Sequence, residues 1–497
     1  MTMRTGSKML MTLAALLAAA CQPPRLATPS APPPAEFRAT PAQAAFVEDL
    51  SRRTFDYFWD TTDPRTCLAP DRWPSAPFSS IAAVGFALTA YGIGAERNYV
   101  PRAEAAKRTL ACLDHFLALP QGPQAAGVAG HKGFFYHFLR TDDGTRYRNN
   151  ELSSVDTGLF FMGALFAQSY FDRDDQVEAA IRARAEALYA RADWTFFQRN
   201  RTGSQATNLA NSHGISMGWK PERGYEPHDW VGYNEGMLVY VLALGSPTHP
   251  VGKDAWDKGW AARLDEEWAT FHGQTYLTFE PLFGHQYSHL WIDFRGITEP
   301  FIASRGIDYF ENSRRATYAQ RDYGEKNPAD WVGYSRDIWG WTASDGPENS
   351  HHKRVVNGKP RVFETYSARG VSPRVTRDDG TIVPTAAGGS IAFAPEITIP
   401  ALMAMKERYP HVWDRYGFRD SFNPSFTFAD YAGKSGTVDP KSGWVAADYI
   451  GIDQGPILAA IENQRSGLIW KTMRRNPHVR RGLERIGFSG GWLAAER

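Results

Sequence analysis

From Phe46 to Met473, apolar side chains recur at intervals of three to four residues, and this period is what most limits the folds open to the chain. The pattern starts with Phe46, Leu50 and Tyr57 with Phe58. It continues through SSIAAVGFALTAYGIGA, PRAEAAKRTLACLDHFLAL, SSVDTGLFFMGALFAQSYF and DDQVEAAIRARAEALYARADW. Further helices are predicted over EGMLVYVLAL, DAWDKGWAARLDEEWATF, SIAFAPEITIPALMAMKERY and DQGPILAAIENQRSGLIWKTM. Alternation of the strand type is confined to short pieces such as KGFFYHFL, which reads as a loop hairpin at most. About a dozen helices joined by alternately short and long loops point to an all-α fold of helix pairs round a ring, with the long loops gathered into a cleft at one end. A stacked solenoid is the competing geometry.

The amino terminus is of a different kind. Arg4 and Lys8 precede MLMTLAALLAAAC, an apolar run too short to span a bilayer and ending in small residues, as a secretory signal does. Ala18, Ala19 and Ala20 before Cys21 resemble a lipoprotein cleavage box, which would leave a lipid on Cys21; ordinary signal cleavage is the alternative. Residues 1–20 are thus read as a signal peptide and 21–41, rich in Pro and Ala, as a tether that cannot bury a core. Residues 42–497 are read as one catalytic domain, since no second linker of this type follows. The expected location is the periplasm or the outer membrane of a Gram-negative bacterium, with membrane contact only through the N-terminal lipid. In an oxidising compartment Cys67 and Cys112 are free to pair.

Charge excludes some partners. Loss of residues 1–20 removes Arg4 and Lys8 and takes the net charge from +1 to −1, which gives nucleic acid no basic surface to bind. The 16 Trp, 21 Tyr and 29 Phe are more telling, because many fall in polar loops, where flat apolar faces beside polar groups suit sugars. HExxH, CxxC, GxxxxGK[ST] and a strand leading to GxGxxG are all missing, so no metal ligand set or cofactor is predicted.

Glycoside hydrolysis needs two carboxyl groups, one to protonate the departing oxygen and one to activate water or attack the sugar. Glu235 stands before an apolar helix with Trp230, Tyr233 and Asn234 beside it, which are candidates for binding substrate. Glu151 and Asp156 lie where a polar turn meets the helix SSVDTGLFFMGALF; Ser153 and Asp156 also match a capping box, so Asp156 has a structural reading as well. Asp71 with Arg72, Trp341, Asp345, Glu396 and Asp453 are further candidates for binding substrate. In GHQYSHLWIDFRG, His285 and His289 share one helix face, but Gln286 stands where a zinc protease has its glutamate. Asp293 and Arg295 read more simply as an ion pair holding a loop, and a buried histidine pair is the alternative to one lining a pocket.

Seven separated stretches, TFDYFWDTTDP, SSIAAVGFALTAYGIGAER, GYNEGMLVYVLALGSPTHP, PLFGHQYSHLWIDFRGI, WGWTASDGP, DGTIVPTAAGGSIAFAPE and YIGIDQGPI, resemble in the same order the glucoamylase-like (glycoamylase) domain of secreted bacterial proteins, related to glycoside hydrolase family 144. The similarity runs from about residue 45 to about 475. It implies an (α/α)6 toroid of six helical hairpins, action on β-1,2-glucan internally or by release of sophorose, and inversion at the anomeric carbon. It points to Glu235 and the carboxylates of the NNELSSVDT turn as catalytic, and to His285, Gln286 and His289 as pocket residues; Trp291 in the same stretch is a further candidate for binding substrate. Endo-acting members carry Asp-x-x-Glu at that turn; here Ser153-x-x-Asp156 stands instead, with Glu151 as a nearby substitute. The sequence therefore predicts a monomeric hydrolase of a β-linked glucan. Two rivals are a non-catalytic carbohydrate-binding lipoprotein, and a polysaccharide lyase, which would need a clearly basic pocket.

Overall fold

Helices dominate the structure, a computed structural model that describes residues 37–198, 213–348 and 353–494. The stretch read as a signal peptide, Cys21 and nearly all of the stretch read as a tether lie outside the described residues. In chain order the helices are α1 (Pro41–Thr61), α2 (Ile81–Glu96), α3 (Arg102–Ala118), α4 (Ser154–Tyr170), α5 (Gln176–Ala190) and α6 (Met237–Gly245). Short α7 (Asp254–Asp257) and α8 (Leu264–Glu267) precede α9 (Phe283–Trp291), α10 (Pro300–Ser304) and α11 (Tyr309–Lys326). The rest are α12 (Pro384–Gly388), α13 (Pro395–Arg408), α14 (Gly451–Arg465), α15 (Leu468–Met473), α16 (Pro477–Ile486) and α17 (Gly491–Ala494). Ala39–Arg497 forms one compact unit.

Two kinds of helix divide the labour. In α2 all residues from Ile81 to Ala95 are buried, and in α6 every residue is, as expected of helices that are apolar all round. Helices α1, α3, α5 and α11 bury one face and leave charged side chains on the other. Local chemistry sets their starts: Thr40 and Gln43 close a capping box at α1, Ser80 caps α2, Ser153 caps α4 and Asp175 caps α5. The buried helices touch in succession. Helix α2 packs on α4, α4 on α6, α6 on α9, α12 on α14, and α14 back on α2. Gln286 of α9 joins α12 by donating to the Ala386 carbonyl and the Ser390 hydroxyl, both at 2.9 Å. The α2–α4 approach depends on glycine: a Cβ on Gly85 would stand 2.3 Å from the Leu159 carbonyl oxygen, and one on Gly163 2.1 Å from that of Gly85.

Strands are short but more numerous than the sequence pattern predicts. KGFFYHFL forms no simple hairpin: Phe134–Phe135 pairs with Gly130–His131, while Phe138–Leu139 pairs with Ser79–Ser80 at the start of α2. The helix predicted over DAWDKGWAARLDEEWATF breaks into α7, a 3-10 turn, α8 and a strand. Gly259 interrupts it, and Trp256 stacks on Trp260 at 4.4 Å, both buried. The predicted last long helix divides at Gly467, whose φ of 66° ends α14 and starts α15. Cys67 and Cys112 are disulfide-bonded, joining the segment after α1 to α3.

Candidate active site

A cavity of about 770 Å³ opens where several buried helices begin. Its walls include Asp71, Arg72 and Phe78 ahead of α2, His137 and Phe138, and Glu151 with Asp156 at the start of α4. Trp230 and Glu235 ahead of α6, Phe283 and Tyr287 on α9, and Ile450 and Ile452 at the start of α14 complete much of it. Helix starts expose unpaired backbone N–H groups and the positive ends of peptide dipoles, a setting that favours carboxylates.

Glu235 closes a loop braced from behind. The Asn234 side chain accepts from the Gly236 amide at 2.9 Å and donates to the Val231 carbonyl at 3.2 Å, while the Glu267 carboxylate accepts from the Tyr233 amide. Tyr233 and Asn234 therefore anchor the loop and do not line the cavity, contrary to the expectation that they bind substrate. Trp230 does line it and donates to the Ser154 hydroxyl at 2.9 Å. The Glu235 Oε2 atom is buried without a hydrogen-bond partner, and desolvation pushes this carboxyl up to about 8. Glu235 thus keeps its proton at neutral pH.

Opposite in character is the acid pair at α4. Ser153 is the cap, accepting from the Asp156 amide at 3.1 Å, and its hydroxyl donates to Asp156 Oδ2 at 2.6 Å, so Asp156 leans on the cap and still faces the cavity. His137 stands between the two acids, its Nδ1 2.8 Å from Glu151 Oε1 and its Nε2 3.5 Å from Asp156 Oδ1. Burial alone would lower the imidazole pKa, but Asp156 and Glu151 together raise it to about 9. Burial likewise pushes Glu151 up, and the bond and charge of His137 overcome this and hold it near about 2. Asp156 ends above the usual carboxylate range, because burial outweighs the pull of His137.

A third wall is built on Arg72, which bonds Asp71 at 3.3 Å and Asp345 at 2.8 Å. Asp345 sits one side chain behind the cavity, its amide donating to Asp420 at 2.7 Å. Asp453, expected to bind sugar, belongs to this buried acid cluster; burial and the neighbouring Asp420 charge push its pKa up.

The remaining expected residues point elsewhere. His285 and His289 do share a face of α9, but it is the inward one: both are buried, and desolvation drives each down to about 3. His289 Nε2 lies 3.1 Å from the Ser313 hydroxyl, and Gln286 is spent on α12. Trp291 is buried against Phe86 and donates to Thr89 at 3.0 Å. Asp293 bonds Arg295 at 2.8 Å and also pairs with Arg474, so the pair holds a loop. Trp341 donates to the Tyr334 hydroxyl and to Asp378, each at 3.2 Å. Glu396 is fixed by Arg314 at 2.6 Å and Tyr318 at 2.5 Å. None of these lines the cavity.

Sequence reasoning missed His137, Phe283, Tyr287 and Tyr366, all on the cavity wall. A signal for two of them was present: Phe283 and Tyr287 are four residues apart on the face of α9 that the histidine pair leaves free. His137 and Tyr366 lie in loop strands or loops without a motif. Among the described residues no group of three or more His, Cys, Asp or Glu side chains is placed to hold a metal ion.

Residues 227–477 match the glycoamylase family model, described as "Putative glucoamylase". That match covers just over half of the chain, and the chain belongs to this family. It is 26% identical over 470 residues to the exo β-1,2-glucooligosaccharide sophorohydrolase (non-reducing end) of Parabacteroides distasonis. The alignment takes in 88% of this chain and 57% of that relative's length. A structure described as a "putative glucoamylase" from Bacteroides uniformis superposes with a TM-score of 0.75 at 28% identity, over 92% of this chain and 100% of that one. The fold is shared too with an endo-β-1,2-glucanase from Chitinophaga pinensis, solved with sophorotriose and glucose, at a TM-score of 0.74 and 24% identity over 91% and 99% of the two chains.

Proposed function

We propose that the chain is a glycoside hydrolase that cleaves β-1,2-linked glucan by an inverting, two-carboxyl mechanism. One observation carries this reading: Glu235 and Asp156, brought from separate helix starts, face one cavity, and Glu235 is held neutral near pH 7. Inversion needs an acid that gives its proton to the departing oxygen and a base that takes one from a water on the far face of the sugar. Glu235 suits the first role, since a carboxyl pushed up to about 8 carries a proton to give. Asp156 suits the second. Glu151, lowered to about 2 by His137, is the weaker base of the two, which favours Asp156 and leaves Glu151 in reserve. Arg72, Asp71 and Trp230 then offer hydroxyl partners and a flat face to the sugar.

The relatives named for β-1,2-glucans support the linkage. The succession of helix contacts that returns from α14 to α2 supports an (α/α)6 toroid. The sequence of residues 1–41 supports export and a lipid on Cys21, hence a periplasmic or outer-membrane-anchored enzyme. A lyase is disfavoured by the cavity itself, where Asp71, Glu151, Asp156, Glu226 and Glu235 outnumber Arg72 and the histidines.

The test is a panel of linear β-1,2-, β-1,3-, β-1,4- and α-1,4-glucans with products resolved by size. Release of reducing sugar from the β-1,2 polymer alone is expected. Binding without release would make the protein a carbohydrate-binding lipoprotein, and an ultraviolet-absorbing product would make it a lyase.

A further inference from the structure

The cavity holds a histidine that hydrolysis by two carboxyl groups does not ask for. His137 follows the buried strand Phe134–Phe135 and is fixed at both backbone groups: its amide donates to the Glu151 carbonyl at 2.9 Å, and its carbonyl accepts from the Ile81 amide, at the first turn of α2, at 3.1 Å. The ring lies against that of Phe138, with centroids 3.8 Å apart and planes 21° from parallel. Phe138 in turn packs on Phe78 at 4.5 Å. The imidazole therefore has little freedom, and its two nitrogens point at two different acids. Nδ1 meets Glu151 at hydrogen-bond distance, and Nε2 meets Asp156 at 3.5 Å, close enough for charge but longer than a good hydrogen bond.

We propose that His137 is a positioning residue which, as an imidazolium clamped by Glu151, supplies the fixed positive charge that keeps the neighbouring Asp156 ionised and aimed into the cavity. The inference rests on the reading of Asp156 as the base. Its logic is a division of labour between the two acids. A buried carboxyl on its own takes up a proton and ceases to be a base. Glu151 neutralises the imidazolium from one side and locks its protonated form, so the second N–H is left to act on Asp156. This gives Glu151 a reason to stand at the turn, although it is not the base.

The groups facing His137 agree with a retained proton. Glu151 and Asp156 confront its two nitrogens, and Asp71, ahead of α2, adds a third negative neighbour. The nearest competing cations are spoken for: Arg72 is shared between Asp71 and Asp345, and Lys220 bonds Glu226 at 3.3 Å. Glu235, which shares the cavity wall and feels the Asp156 charge, is neutral and does not oppose it.

Two measurements test the proposal, and only one depends on the reaction. In the first, ring nitrogens of the full chain are titrated by 15N NMR, the His137 signal being identified by its loss in His137→Gln or, if that variant does not fold, in His137→Lys. The signal should stay that of an imidazolium from pH 6 to pH 8; a neutral ring at pH 7 overturns the proposal whatever the protein hydrolyses. In the second, kcat/KM on linear β-1,2-glucan is followed against pH. His137→Gln should move the acid limb up by about 1–3 pH units, the size of a lost neighbouring charge, and lower kcat below that limb by roughly tenfold or more with KM within about threefold. His137→Lys, which restores a cation, should bring the limb back toward that of the wild type. An unmoved limb, or a loss confined to KM, contradicts the role. If the wild type hydrolyses no glucan, the proposed reaction fails while the NMR titration still decides the state of His137.

Discussion

Histidine occurs in two settings here, and the contrast between them shows what makes a side chain chemically useful. His137 stands on the cavity wall with a carboxylate at each nitrogen and is raised to about 9. His285 and His289 lie inside the helix assembly, where desolvation lowers both to about 3. Burial pushes all three in the same direction; only the acids beside His137 reverse it. The sequence drew attention to the interior pair, because a spacing of four residues beside Trp and Asp looks like a site. What it could not convey is which face of α9 turns inward.

The contrast can be broken at its strongest point first. Glu235→Gln keeps the shape of the side chain and removes its proton-giving ability, so kcat on β-1,2-glucan should fall by about 10²–10⁴, as for loss of a general acid. Asp156→Asn should cost a similar or slightly smaller factor, and neither change should move KM by much. Retention of full activity by either variant would remove that residue from the mechanism. The wild-type profile follows with its sign: Glu235 works protonated, so kcat/KM should decline as pH rises through about 8, and Asp156 works ionised, so it should decline again in acid.

Smaller effects belong to the interior. Gln286→Leu strips the Ala386 carbonyl and the Ser390 hydroxyl of their partner and should cost about 1–3 kcal/mol in denaturant unfolding with kcat/KM little changed. A loss of activity beyond that of stability would return Gln286 to the site. The two kinds of histidine should also act oppositely on stability. For His137 the folded pKa is raised, so its contribution is complete below about 6.5 and is lost as pH rises through about 9. For His285 and His289 the folded pKa is depressed, so stability is complete above about 6.5 and falls as pH drops from there toward about 3. His285→Leu should therefore flatten the fall in melting temperature between pH 7 and pH 4, and His137→Gln should not.

Much of the fold was legible because its cause is local. A 3.6-residue period, serine and threonine caps, and apolar runs such as MLVYVLALG announce buried helices before any contact is known. The helix predicted from Asp254 failed because Gly259 and a stacked tryptophan pair, which are tertiary matters, break it. The site was legible where a carboxylate sits at a helix start, as Glu235, Glu151 and Asp156 do, and again at Asp71 with Arg72. It was illegible where position depends on loops that meet only in space. His137 and Tyr366 gave no warning, and Glu396, a further candidate for binding substrate, is held by Arg314 away from the cavity.

The stereochemistry of the first product tests the central claim most directly. Proton NMR of linear β-1,2-glucan, recorded within the first minutes after enzyme is added, should show the α-anomer of the released sugar appearing first and the β-anomer growing in later by mutarotation. A β-anomer formed first, or no new reducing end at all, would contradict an acid and a base acting from opposite sides of one glycosidic bond.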